Sequence, residues 1–199
     1  TALLTRASVD SVVARAREMK VRGLLVQVVG RGDAFYRSDL LPRSEARPDY
    51  EAEFAFVIGK TAENVPANKA LDYVFGYVPI FDISTRGMVR RTQFVGKGQG
   101  SHGCCGPWII TKDEIPDPHN VVVKSWTNGE PRQNYNTGAM AHKIPNQIAW
   151  LTRLLTLNPG DVVATGTFHE WLAPVNSGDT IEIEFEDMGR AKFNDKVNS

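Results

Sequence analysis

Two glutamates, Glu51 and Glu53, interrupt the run Asp49-Tyr50-Glu51-Ala52-Glu53-Phe54-Ala55-Phe56-Val57-Ile58-Gly59, which is otherwise apolar enough for a core strand. Side chains alternate along a strand, so the two carboxylates share a face, about 6.5 to 7 Å apart along it. Buried together without a cation they would repel. A divalent metal removes the conflict; a solvated strand edge, where both meet water, is the alternative. A third carboxylate, Asp82, follows the apolar residues 75–80 and precedes Ile83-Ser84-Thr85-Arg86. That order predicts an acid and a base at a strand exit, where ligands often sit, although Arg86 could equally just pair with Asp82. Three hard oxygen donors without paired His or Cys suit Mg2+, Mn2+ or Ca2+ rather than zinc.

The elements that must carry these residues follow from the apolar spacing. Val9, Val12, Val13, Ala16 and Met19 recur at helical spacing, with Arg15, Arg17 and Glu18 opposite, and Gly23 ends that helix. Residues 24–29 read as a short strand, and the polar, Arg-rich stretch up to Pro48 as a loop or lid. Beyond Pro48 the candidate strands are 53–58, 75–83, 121–127, 132–137, 161–165 and 180–185. Two helices interrupt them: one over 66–73, opened by Pro66, and one from near Pro145 through Leu155, stopped by Asn158-Pro159-Gly160. Asn128-Gly129 predicts a type I′ hairpin. The fold class is therefore α+β and mainly β, with a helix-strand segment and possible lid over 1–47 and a catalytic body over 48–199.

Composition limits the partners. The 199 residues, 42% hydrophobic and 23% charged, suffice for one domain with a sizeable core and a small appendage. Lys+Arg and Asp+Glu both number 23, so no net field draws the chain to nucleic acid or an anionic membrane. No apolar stretch approaches the roughly 18 residues of a spanning helix, and the start lacks a secretory pattern. The first residue is Thr1, so an upstream segment could be missing. Cys104 and Cys105 are neighbours, which strains a disulfide and gives no zinc spacing; they read as buried small hydrophobes in a reducing, cytoplasmic compartment.

The order of these motifs resembles that of the fumarylacetoacetate hydrolase family. The strand from Asp49 to Gly59 leads to Leu71-Asp72-Tyr73-Val74-Phe75-Gly76-Tyr77 and Phe81-Asp82-Ile83-Ser84-Thr85-Arg86. Lys97, Gly106-Pro107-Trp108, the Asn-Gly-Glu hairpin up to Gln133, Asn136-Thr137 and Leu157-Asn158-Pro159-Gly160-Asp161-Val162-Val163-Ala164-Thr165-Gly166-Thr167 follow in the family's order. The resemblance implies a mixed β-sandwich roll, a homodimer, and a divalent cation at Glu51, Glu53 and Asp82. It also implies that Arg86, Lys97 and Thr167 face a small oxo-acid substrate, in keeping with the cationic neighbours a dianionic acid needs.

Three departures stand beside it. No His precedes His102, so the family's His-x-x-Glu lid pair has no counterpart. Phe81 and Gly87 replace a common Asn and Asp, and the Gly-Thr-Pro turn reads Gly166-Thr167-Phe168-His169-Glu170. His119 is expected at the surface and His142 as a structural or capping residue, which leaves His169, Glu170 and His102 as catalytic candidates. The expected activity is metal-dependent hydrolysis of a carbon–carbon bond in an acylpyruvate or β-diketo acid. A decarboxylase or tautomerase on a 2-oxo acid, a sugar-acid dehydratase and a non-catalytic ligand-binding homologue are the rivals.

Overall fold

A computed structural model describes residues 48–85, 94–98, 102–176 and 178–194. The expected helix over 9–19, the strand over 24–29, the lid and Arg86 lie outside the described residues. β1 (Pro48–Ile58) pairs with β2 (Val74–Thr85) over its whole length. The far edge of β2 carries two short strands, β3 (Gly103–Cys105) and β4 (Ile110–Thr111). In the second sheet, β5 (Val122–Thr127) and β6 (Glu130–Asn136) form the predicted hairpin. Its turn residues Asn128 and Gly129 have φ of 52° and 84°, the pair of positive values that a type I′ turn requires. β7 (Val162–Ala164) returns to the outer edge of β1, while β8 (Thr180–Phe185) and β9 (Gly189–Asn194) complete the second sheet in the order β6-β5-β8-β9. All pairings among the described residues are antiparallel.

The two sheets meet over one core. β1 sends Tyr50, Ala52, Phe54, Phe56 and Ile58 into it, all 1% exposed or less. Phe54 stacks on Tyr77 of β2 at 4.9 Å and meets Phe185 of β8 at 5.0 Å, which ties sheet to sheet. Each such ring contributes about 1.5 to 3 kcal/mol by leaving water. The opposite face of β1 carries Glu51, Glu53, Ala55 and Val57, the last two forming a small separate cluster with Val78 and Ile80.

Several expectations change in detail. The helix expected over 66–73 is present as a 3-10 helix, Ala67–Tyr73. Among the described residues there are two short α-helices: α1 (Phe94–Lys97), which the apolar spacing did not signal, and α2 (Ile144–Leu151), which stops well before Asn158. β3, β4 and β9 were likewise not expected. Cys104 is half-buried against the core and Cys105 is exposed, so the pair is not buried as expected: neighbours on a strand point to opposite faces. No helix among the described residues is long and apolar enough to cross a membrane.

Candidate active site

The acidic face of β1 is completed from β2. Asp82 does not end its strand as expected; it sits within β2, directly opposite Glu51. This register brings carboxylate oxygens of Glu51, Glu53 and Asp82 all within 4.8 Å of one another. Glu51 and Glu53 are 4% and 3% exposed, so the solvated-edge alternative does not hold. Lys97, the last residue of α1, donates to Glu51 Oε2 at 2.5 Å, Asp82 Oδ2 at 2.7 Å and Ser84 Oγ at 2.6 Å. Burial by itself would lower the Lys97 pKa; its bonds to the Asp82 and Glu51 carboxylates more than reverse this and raise it. Glu53 Oε2 accepts the Gly166 N–H at 2.6 Å. Even so, burial, with the charges of Asp82 and Glu51 beside it, pushes its carboxyl up to about 7.

The segment after β7 shapes the other wall. β7 leaves β1 at Ala164, which is paired with Ala55, yet the chain keeps alongside β1 in the same direction. Thr165 N–H donates to Phe54 O at 3.2 Å, Gly166 reaches Glu53, and Thr167 Oγ1 donates to Ala52 O at 2.8 Å. Gly166 has φ of 96°, a value that only glycine adopts readily, and this bend aims its N–H at the carboxylate. The segment then delivers His169, whose Nδ1 lies 3.8 Å from Glu51 Oε1. That side chain is 71% exposed and so open to water as well as to the cluster. Glu170 follows it and is exposed.

The remaining candidates fall elsewhere. His102 is 4% exposed, with Nε2 in a 2.9 Å hydrogen bond to Thr85 Oγ1 and its carbonyl accepting Ile83 N–H. Burial, then the Lys97 charge, lowers its pKa. His119 is half-buried rather than at the surface, because its Nε2 accepts the Ile144 N–H at 3.1 Å and caps α2. His142 is exposed, and the capping role expected of it belongs to His119. Sequence reasoning missed Gln133 and Tyr135. Tyr135 Oη donates to Ala52 O at 2.8 Å, and Gln133 bonds both β1 and the segment after β7. Their only signal was position in the strand after the Asn-Gly turn.

The donor set fits a divalent cation. The carboxylates of Glu51, Glu53 and Asp82 offer oxygen donors alone, within 4.8 Å of one another, the ligand type that a hard divalent cation takes. A family model, fumarylacetoacetate (FAA) hydrolase C-terminal, matches residues 8–194. The chain belongs to the fumarylacetoacetate hydrolase family. Among curated fumarylacetoacetate hydrolase family relatives, a maleylpyruvate hydrolase of Aquipseudomonas alcaligenes is 40% identical over 149 residues, spanning 75% of this chain and 51% of its own length. A mitochondrial oxaloacetate tautomerase of Xenopus laevis is 36% identical over 159 residues, covering 75% of this chain and 50% of that protein. This family member thus spans about half the length of both relatives. Among solved structures, maleylpyruvate hydrolase from Sphingobium sp. SYK-6 in complex with manganese(II) and pyruvate matches with a TM-score of 0.68 and 36% identity, over 75% of this chain and 54% of that one.

Proposed function

We propose that this family member hydrolyses a carbon–carbon bond in a small acylpyruvate or β-diketo acid, with Mg2+ or Mn2+ held by Glu51, Glu53 and Asp82. The observation that carries the reading is His169, exposed to water and 3.8 Å from Glu51 at the edge of the carboxylate cluster. When bound, the cation supplies Lewis-acid polarisation of the substrate carbonyl and stabilises negative charge on the departing carbon. His169 takes a proton from water, whose oxygen adds to the acyl carbonyl carbon. The bond from that carbon to the neighbouring methylene then breaks, its electron pair passing into an enolate, and His169 returns the proton to the methylene carbon. Lys97 holds Glu51 and Asp82 in place and adds positive charge beside the substrate's oxygens. Thr167 is fixed on the Ala52 carbonyl and lines the same wall, and Arg86 is proposed to take the substrate carboxylate. His102, engaged with Thr85 inside the protein, is assigned no proton transfer.

A second reading, a decarboxylase or tautomerase on a 2-oxo dicarboxylate, is favoured by the lack of any His among residues 1–101 to match the family's lid base, since these reactions need no activated water. The maleylpyruvate hydrolase and oxaloacetate tautomerase relatives support the two readings respectively. The test measures acylpyruvate cleavage and oxaloacetate turnover side by side in wild type and His169→Ala. Under the hydrolase reading His169→Ala lowers kcat for cleavage by about 10² to 10⁴ at unchanged Mn2+ affinity. Unimpaired cleavage removes His169 as the base; oxaloacetate turnover alone in the wild type gives the site to the second reading. Homodimer formation is proposed with this function and is read by light scattering.

A further inference from the structure

Gln133 is 2% exposed and uses its whole amide. Oε1 accepts Ala52 N–H at 3.1 Å and Ser125 Oγ at 3.5 Å, while Nε2 donates to Thr167 Oγ1 at 2.7 Å and to Phe168 O. Flipping the amide would set oxygen against the Phe168 carbonyl and NH2 against the Ala52 N–H, so the partners fix its orientation. Ala52 lies between Glu51 and Glu53. Its N–H belongs to the peptide joined to Glu51, and its carbonyl to the peptide joined to Glu53. Gln133 holds the first directly and the second through Thr167 Oγ1, which donates to Ala52 O at 2.8 Å. This is the stretch of β1 that β7 no longer pairs, since their pairing ends at Ala55 and Ala164. Side chains from the second sheet and the returning segment therefore replace the missing backbone ladder.

We infer that Gln133 is the positioning residue that couples the two glutamates of the metal site to the segment bearing Thr167 and His169. It sets the separation and aim of Glu51 and Glu53 through the Ala52 peptides, and it holds the His169 segment by the Phe168 carbonyl. One buried amide thus registers the cation ligands against the base. In its metal aspect the inference rests on the proposed function; in its coupling aspect it stands on the hydrogen bonds alone.

The test uses Gln133→Met, which keeps length and removes all four amide contacts, with Ser125→Ala as a comparison. Ser125 Oγ accepts the Gln133 backbone N–H at 3.1 Å and gives Oε1 only its longest contact, at 3.5 Å, so its loss costs stability while the amide keeps its bonds to Ala52, Thr167 and Phe168. Mn2+ titration followed by electron paramagnetic resonance should show Gln133→Met weakened about 10- to 100-fold and Ser125→Ala within about twofold of wild type. Hydrogen exchange in metal-free protein should show lost protection at 166–170 in Gln133→Met alone. Should Gln133→Met fail to fold, the near-isosteric Thr167→Val removes the relaying hydroxyl and is expected to weaken Mn2+ binding about 10-fold. Equal losses of Mn2+ affinity in Ser125→Ala and Gln133→Met would show a mere stability effect and overturn the inference, as would unchanged exchange at 166–170. If the wild type binds no Mn2+, the metal reading of the site fails, and the exchange data still decide the coupling.

Discussion

Lys97 holds a position that one charge cannot satisfy. Its ammonium reaches Glu51 and Asp82 but not Glu53, whose own support is the Gly166 N–H. In metal-free protein its ammonium therefore offsets repulsion between two of the three carboxylates. Lys97→Met keeps the chain length of the stem and removes the charge, so metal-free unfolding in urea should show a loss of about 2 to 3 kcal/mol. Saturating Mn2+ should recover most of it, because the cation then supplies the charge that the ammonium gave. A variant as unstable with Mn2+ as without it would mean that Lys97 acts by packing. Parity of position made the carboxylates legible in the sequence: Glu51 and Glu53 share a face whatever the fold around them. Their register with Asp82 was not legible, because which residue of β2 faces Glu51 depends on where two strands sixteen residues apart come into pairing, and no local signal records it.

Among the elements, α2 depends on a residue remote from it. Lys143, its N-cap, gives no side-chain bond, and His119 supplies the acceptor for the Ile144 N–H. Only the neutral imidazole offers a lone pair there. Burial, with Lys143 nearby, lowers the His119 pKa from its ordinary 6.5 despite the opposing charge of Asp117. The unfolded chain therefore binds the proton first as pH falls, and this share of stability is complete above about 6.5 and lost below it. His119→Ala should lose about 1 kcal/mol at pH 7.5 and show a flatter decline between pH 7 and 5 than wild type, read by thermal unfolding. Sequence order alone pointed to His142, the histidine adjacent to the helix. The same difficulty of distance hid β9: Gly189–Asn194 has no β-branched residue, and it becomes a strand because Ala191 and Phe193 alternate inward beside Ile183 and Ile181 of β8. The strands rich in Val, Ile, Phe and Tyr, and the Asn-Gly turn, were visible because their signal is local. The helix expected over 66–73 from Pro66 is present as a 3-10 helix, because only seven residues, Ala67–Tyr73, separate Pro66 from the start of β2.

For the molecule as a whole, a cation bound between β1 and β2 ties the central strands of one sheet together, and binding to the native state alone stabilises it by mass action. At a hundredfold excess over Kd, Mn2+ should add about 2.7 kcal/mol and raise Tm by about 5 to 10 °C. Chelation should reverse this, and Asp82→Asn should abolish it; a Tm indifferent to Mn2+ would deny that the carboxylates form the cation site. β1 has a further consequence for how such a body can diversify. Its even-numbered residues from Tyr50 to Ile58 belong to the shared core, whereas Glu51 and Glu53 belong to the carboxylate cluster proposed to carry the chemistry. Substitutions at alternate positions of one strand are thus judged by separate selective pressures, one on folding and one on turnover. Lineages can drift at the acidic face and in the segment from Thr165 to Glu170 while the interior is left intact, a division under which a hydrolase and a tautomerase can descend from one ancestral scaffold.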